Sequence, residues 1–357
     1  MSSPSLYNKY RPTAWKDVLG QEHVVDVILG SLKSKGVSHA YLFSGPRGTG
    51  KTSVARILAR EVGCRGYDLY EMDAASTRGI EDIQSLKEAV STLPFESAYK
   101  VYIIDEVHML SRPAFDALLK TIESPPSFVI FIFATTELHK VPNTIVSRCQ
   151  HFSFRKPSEE LLKKMILRVA KAEGYEMEKE AASLIAMLGD GSFRDAHGIL
   201  QKVIGASTDL FLPVSLVLKV GGLPESKIVE RFVKALVSKN LEETLVMVKG
   251  AVEANIDMKV FIKLILRALR LIMLDVYAPV ILKELEEELS LDERLFFEEM
   301  KPFVGKTINS SLLLALIEAY EKIDQTSLPQ LPLELALIKI IGPLGPDMVG
   351  TGVPVPK

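Results

Sequence analysis

Short apolar runs alternate with helical patterns along the first 155 residues. The candidate strands are AYLFS at 40–44, LYEMD at 69–73, YKVYIID at 99–105, FVIFIFAT at 128–135 and HFSF at 151–154. Two of these are continuous apolar runs, which is typical of strands buried on both faces of a sheet. The alternation predicts an α/β domain with a mostly parallel sheet.

The pattern changes after Lys156-Pro157, where Ser158-Glu159-Glu160 is a typical helix start and no convincing strand follows. Apolar residues at helical spacing, interrupted by glycines, predict a small helical domain. From about Thr208 the amphipathic stretches are longer and predict a helical bundle, whose apolar stripes form a core or also a subunit interface. The last residues are rich in Gly and Pro and predict a flexible tail.

Composition excludes several classes of protein. Of the 357 residues, 47% are hydrophobic and 25% are charged, as in a well-folded soluble protein. The N-terminus lacks the apolar segment of a signal peptide, and the most apolar stretch, 260–276, carries too many charges to span a bilayer. We therefore expect a cytoplasmic protein without membrane contact. With a formal net charge of −2, the chain lacks the broad basic surface of a stand-alone DNA-binding protein.

The sequence GPRGTGKT at 45–52 satisfies the phosphate-loop pattern and lies between a predicted strand and a predicted helix. Its glycines let backbone N–H groups and the helix N-terminus face phosphates. Lys51 would reach the β and γ phosphates, and the Thr52 hydroxyl would ligate Mg²⁺. The candidate nucleotide-binding residues are Gly45, Pro46, Arg47, Gly48, Thr49, Gly50, Lys51, Thr52 and Ser53.

A second motif, VYIIDEVHML, ends a predicted strand with two acids. Asp105 would hold Mg²⁺ directly or through water, and Glu106 is placed to polarise the attacking water. We expect the strand that ends at Asp105 to neighbour the strand before the phosphate loop, so that each motif supplies half of one Mg-nucleotide site. Thr135 and Thr136 end another buried strand, and the hydroxyl of Thr136 is the preferred candidate to orient water or sense the γ-phosphate.

The phosphate loop, IIDEVHML, FATTELHKVPNTIVSRCQ and GDGSFRDA together resemble the AAA+ ATPases of clamp loaders, and in particular the family of bacterial DNA polymerase III gamma/tau subunits. The resemblance covers nearly the whole chain. It implies a fold of α/β plus all-α class. The implied domains are a RecA-like AAA+ domain at 1–156, a helical lid at 157–207, a helical collar for oligomerisation at 208–343 and a flexible tail at 344–357.

The resemblance also implies roles for single residues. Arg148, in the SRC motif, would reach into the ATP site of the neighbouring subunit as an arginine finger, because a guanidinium stabilises charge on the transferred phosphoryl group. The alternative is an exposed arginine that pairs with a local carboxylate. Arg194 would be the sensor-2 arginine, which contacts ATP within its own subunit. The residues expected near adenine and ribose are Tyr7, Arg11, Pro12 and Val18.

Clamp loaders track the backbone of duplex DNA, so the resemblance implies phosphate contacts. Backbone N–H groups at the helix start after ASTRG, together with Arg78, could bind a phosphate without reading sequence. Lys120, Lys140 and Thr144 are further candidates.

The chain departs from the family at two points. The family usually inserts a four-cysteine zinc module after the phosphate-loop helix, whereas here Cys64 alone remains, so no structural zinc is expected. Cys64 and Cys149 are also too few for a disulfide framework. His197 stands where the family more often has an apolar residue, and we interpret it as a packing residue.

The leading prediction is an ATP-hydrolysing motor subunit. With delta-type and delta-prime-type subunits and copies of itself, it would open a beta-type sliding clamp and place it on primer-template DNA, without polymerase chemistry of its own. One alternative is a non-hydrolysing scaffold subunit. Another is a DNA helicase, suggested by the D-E-x-H string at 105–108, although only helices are predicted after residue 156 where a second RecA-like core would be needed.

Overall fold

The computed structural model describes residues 4–34, 36–76, 86–281 and 291–342. The chain divides into two compact units. The first consists of Met1–Met177 and Ala182–Gly205, and the second of Glu178–Ala181 and Ala206–Lys357. The predicted division into three domains and a tail stays a prediction, and the tail at 344–357 lies outside the described residues.

A five-stranded sheet organises the first unit. Its strands are β1 (Ala40–Ser44), β2 (Leu69–Asp73), β3 (Lys100–Asp105), β4 (Val129–Thr135) and β5 (Gln150–Ser153). The strand order is β2-β3-β4-β1-β5, and every neighbouring pair is parallel. The prediction of an α/β domain with a parallel sheet is therefore confirmed, with each strand within one residue of its predicted bounds.

The strand order corrects one expectation from the sequence. β1 and β3 are not neighbours, because β4 lies between them. All seven residues of β4 are buried, and a continuous apolar run of this kind belongs in the centre of a sheet that is covered on both faces. The helix after the phosphate loop nevertheless packs on both β3 and β4, which brings its first turn to the end of β3.

Helices cover both faces of the sheet in the first unit. Tyr41 and Phe43 of β1 belong to one apolar cluster, whereas Ala40 and Leu42 belong to another on the opposite face, as the two-residue period of a strand requires. Ser158 caps a helix as predicted, since its hydroxyl accepts a hydrogen bond from the backbone N–H of Leu161. The helices are α1 (Leu6–Lys9), α2 (Glu22–Ser34), α3 (Lys51–Glu61), α4 (Arg112–Glu123), α5 (Asn143–Val146), α6 (Glu159–Ala172), α7 (Lys179–Leu188) and α8 (Phe193–Ala206).

The described part of the second unit is helical around one apolar core. Its helices are α9 (Val214–Gly221), α10 (Ser226–Val237), α11 (Leu241–Glu253), α12 (Met258–Tyr277), α13 (Leu291–Met300), α14 (Ser310–Lys322) and α15 (Leu331–Ile341). Two-residue strands at Glu176–Met177 and Phe211–Leu212 were not predicted, because so short a segment carries no periodic signal. Within the described ranges, no helix combines the length and apolar character needed to cross a bilayer.

Candidate nucleotide site

The phosphate loop joins the end of β1 to the start of α3. Two of its glycines are required by close approach as well as by positive φ angles: a Cβ on Gly45 would lie 2.4 Å from the carbonyl oxygen of Phe154, and one on Gly48 would lie 2.0 Å from Ser192 Oγ. The backbone N–H of Phe193 donates to the Gly48 carbonyl over 3.0 Å. The first turn of α3 leaves N–H groups without intrahelical acceptors, which makes this end of the helix suited to an anion.

Lys51, the first residue of α3, is only 6% exposed. Its ammonium donates to the carbonyl oxygens of Gly45 at 2.7 Å and Pro46 at 2.9 Å. Burial lowers the pKa of Lys51, while the nearby carboxylates of Glu106 and Asp105 act in the opposite direction. The amine therefore closes the loop on itself and faces the acids at the end of β3.

Asp105 connects the phosphate loop helix to β3. The Thr52 hydroxyl donates to Asp105 Oδ2 over 2.6 Å, and the backbone N–H of Glu106 donates to Asp105 Oδ1 over 2.9 Å. Asp73 stands beside Asp105 in the parallel register of β2 and β3, and both residues line the same cleft. The sequence analysis missed Asp73, although it ends a predicted strand at the same sheet edge as Asp105.

The side chain of Glu106 is held by hydrogen bonds from the residue that follows β4. The φ angle of 48° at Glu106 is in the left-handed region, which is unusual for a residue with a side chain. Glu106 Oε2 accepts hydrogen bonds from the backbone N–H of Thr136 at 3.2 Å and from its hydroxyl at 3.0 Å. The fold therefore places Thr136 in direct contact with Glu106, the acid that the sequence predicts to polarise water. The neighbouring Thr135 is fully buried and does not face the cleft.

Tyr7 lies between two arginines at the other side of the cleft. Its phenol oxygen accepts from Arg11 at 2.8 Å and from Arg194 at 3.1 Å. The guanidinium carbons of these arginines lie 5.1 Å and 4.7 Å from the centre of the Tyr7 ring. Each arginine also buries its Nε–H without a hydrogen-bond partner among the described residues. Two adjacent, partly unsatisfied cations favour an anionic ligand.

These groups line one cleft of about 400 Å³ within the first unit. The structure brings together the predicted residues Tyr7, Arg11, Pro12, Val18, Arg47 to Ser53, Asp105, Glu106 and Arg194. Gly45 and Pro46 contact the Lys51 ammonium instead. The sequence analysis missed Tyr10, from the segment after α1, and Arg168, from α6, which also line the cleft. Neither residue is part of a motif that could have revealed it.

His197 packs at this cleft, on α8. Its ring stacks on Tyr10 with 6.3 Å between the ring centres, and Nδ1 lies 2.6 Å from the carbonyl oxygen of Phe193. Burial lowers the pKa of His197, which favours the neutral ring. Cys64 is 1% exposed in the apolar cluster beside α3, and burial raises the pKa of its thiol. The expectation of no structural zinc stays a prediction.

Arg148 does not line the cleft of its own chain. One of its terminal nitrogens pairs with Glu123, and the other donates to the carbonyl oxygen of Thr144 over 2.8 Å. This is the local pairing that the sequence analysis left open, and a role toward a neighbouring chain stays a prediction. Among the candidate DNA contacts, Lys120, Lys140 and Thr144 are exposed, and Lys140 pairs with Glu137 at 2.9 Å. Arg78 lies outside the described residues.

Comparisons with known proteins agree with this architecture. A family model described as DNA polymerase III, delta subunit, matches residues 20–78 and 67–158. Among solved structures, the RuvB Holliday junction branch migration motor of Thermotoga maritima superposes with a TM-score of 0.51 at 24% identity, covering 64% of this chain and 79% of that chain. This likeness shows the fold alone, which is the AAA+ fold expected from the sequence.

Relatives in sequence extend the match beyond the sheet. The tau subunit of DNA polymerase III from Bacillus subtilis is 36% identical over 95% of this chain and 63% of its own length. The gamma/tau subunit from Mycoplasma genitalium is 34% identical over 82% of this chain and 53% of its own length. The chain therefore spans less than two thirds of the length of these relatives. The chain is therefore similar to bacterial DNA polymerase III gamma/tau subunits over nearly its whole length.

Proposed function

We propose that the cleft binds Mg-ATP and that the chain is an ATP-hydrolysing motor subunit of a clamp loader. The observation that carries the proposal is the convergence, within one unit, of the Lys51 ammonium, the Thr52–Asp105 pair, Glu106 and two arginines around one cleft. Motor function in place of a scaffold role is supported by this intact set of phosphate-binding and acid residues.

The residues fit a Mg-triphosphate in charge and in the chemistry of their donor groups. Five cationic and four carboxylate side chains line the cleft, so the lining carries one net positive charge, and a bound Mg²⁺ would raise this to three. Gly48 permits the close approach of Ser192 to the phosphate loop, which a Cβ would prevent. The hydroxyl of Thr52 and the carboxylate of Asp105 are oxygen ligands of the kind that Mg²⁺ prefers.

Each group of the chain then has one task. Bound Mg²⁺ would supply electrostatic stabilisation of the phosphates, held through Thr52 and Asp105. Lys51 and the loop N–H groups bind the β and γ phosphates. Arg194, on α8, contacts the same ATP molecule. Glu106 orients and polarises a water, and the two hydrogen bonds from Thr136 fix its carboxylate. We further propose that Arg148 acts on the site of an adjoining chain.

The proposed partners follow from the family and not from contacts in this chain. They are delta-type and delta-prime-type subunits, further copies of this chain, a beta-type sliding clamp and primer-template DNA, in the bacterial cytoplasm. We propose that exposed Lys120, Lys140 and Thr144 contribute to binding the DNA backbone.

ATP hydrolysis by the reconstituted complex, with clamp and primed DNA, tests the proposal. Stimulated phosphate release together with clamp loading would support it. ATP binding without hydrolysis would indicate a scaffold, and strand separation would indicate a helicase.

Lys51→Ala tests the site itself. We expect this variant to lose at least about tenfold in ATP affinity, because the buried ammonium that faces the phosphates is gone. Titration calorimetry with Mg-ATP measures the loss. Lys33→Ala, at an exposed position of α2, is the matched control and should bind normally. Normal ATP affinity in Lys51→Ala would overturn the assignment of the cleft.

A further inference from the structure

His108 is a nearly buried side chain between two acids. It lies in the turn after β3, its side chain is 6% exposed, and each ring nitrogen faces a carboxylate. Nδ1 lies 3.4 Å from Glu106 Oε2, and Nε2 lies 3.1 Å from Glu137 Oε2. A ring nitrogen that carries hydrogen can donate toward the carboxylate that it faces.

The end of β4 fixes the ring in this place. Thr135 Oγ1 lies 3.0 Å from His108 Nδ1 and accepts the backbone N–H of Glu137 over 3.0 Å. Glu137 thus contacts the ring directly through its side chain and indirectly through its backbone. Because Thr135 is fully buried, this arrangement leaves the ring little freedom to turn.

The contacts of Glu106 are concentrated on one oxygen. Oε2 accepts both hydrogen bonds from Thr136 and faces His108 Nδ1. Oε1 is therefore the oxygen that remains for a water in the cleft, which Glu106 lines. A carboxylate held on one oxygen presents the other in a fixed direction, and orientation of this kind contributes strongly to rate.

We propose that His108 is a positioning residue for ATP hydrolysis, which holds Glu106 through Nδ1 so that the free carboxylate oxygen faces the attacking water. The inference rests on the proposed ATPase function. His108 does not line the cleft, so it acts on turnover and not on binding of the nucleotide.

Two substitutions at His108 separate the contacts of its nitrogens. The amide of Asn places a donor near the position of Nδ1, whereas the longer amide of Gln places one near Nε2. We expect His108→Phe to lower kcat by about 10- to 100-fold and to leave the Kd for Mg-ATP within about twofold. His108→Asn should recover more of kcat than His108→Gln. His139→Phe is the matched control, because His139 is 75% exposed and faces Glu137 without contacting Glu106.

A double-mutant cycle excludes a merely structural role. If His108 acts through Glu106, then His108→Phe should cost little further activity in a Glu106→Gln background, whereas an independent structural defect would lower kcat by the same factor in both backgrounds. Equal recovery by Asn and Gln, or an additive cycle, would overturn the inference while wild-type hydrolysis stands. Absence of hydrolysis in the wild-type complex would instead contradict the proposed function.

Discussion

At the scale of single residues, the hydroxyl of Thr136 donates a hydrogen bond to the carboxylate of Glu106 and does not line the cleft. Its oxygen lies 3.0 Å from Glu106 Oε2. The sequence could place Thr136 at the end of a strand near Glu106, because both strands were visible as apolar runs. The sequence analysis preferred Thr136 to Thr135, but which of the two turns toward the acid depends on the last φ and ψ angles of β4.

Replacing Thr136 by Val removes the hydroxyl and keeps nearly the same volume. We expect kcat for ATP hydrolysis to fall by about tenfold with unchanged ATP affinity, because Glu106 loses one of two hydrogen bonds from this residue. Steady-state kinetics and calorimetry measure the two quantities. Thr136→Ser, which keeps the hydroxyl, should recover most of the rate, and an equally slow Ser variant would contradict this role.

At the scale of elements, the bounds of the strands were predictable and their order was not. Each strand carries its own apolar signal, but the place of β4 between β1 and β3 depends on which strands pack together in three dimensions. The same limit applies to the site. Motifs revealed the phosphate loop, Asp105 and Glu106, whereas Tyr10 and Arg168 reach the cleft only because segments distant in sequence fold together.

Asp68 connects two segments of the first unit, and no sequence motif predicted this role. This fully buried carboxylate, just before β2, accepts backbone N–H groups of Phe95 at 2.6 Å, Glu96 at 2.9 Å and Ser97 at 2.8 Å. Burial alone would raise the pKa of Asp68, but the backbone donors of Glu96 and Phe95 outweigh it and lower the pKa below 3.8. The carboxylate therefore connects the start of β2 to the segment before β3.

We expect Asp68→Asn to lower the free energy of unfolding at pH 7 by about 1–3 kcal/mol, because an amide cannot accept all three bonds equally well. A folded-state pKa below the unfolded one stabilises the fold above pH 3.8, and that contribution is lost as the pH falls through the lower value. Urea unfolding at several pH values should show the difference from wild type shrinking in acid. Asp26→Asn, at an exposed position of α2, should change little, and a pH-independent difference would contradict this account.

At the scale of the whole molecule, the proposed site is complete except for Arg148, which pairs with Glu123 on its own surface. A surface ion pair of this kind contributes about 1 kcal/mol or less. Arg148 could therefore exchange Glu123 for a phosphate of the nucleotide proposed to bind an adjoining chain. The resemblance to clamp loaders implied such an exchange. No pattern in a single sequence could have revealed the partner that receives it.

Mixing two inactive variants tests whether Arg148 acts on another chain. Complexes with only Arg148→Ala subunits should bind ATP normally but lack stimulated hydrolysis, and Lys51→Ala subunits should fail to bind. Mixed complexes should regain part of the stimulated rate, because some interfaces then join an intact ATP site to an intact Arg148. Phosphate release measures the recovery, and Glu123→Ala should remain within about fivefold of wild type. No recovery in mixed complexes would place the action of Arg148 within its own chain.

The ammonium of Lys51 donates hydrogen bonds to the carbonyls of Gly45 and Pro46. The place of the positive charge therefore depends on the backbone of the loop, so a substitution that shifted either carbonyl would displace the ammonium as well.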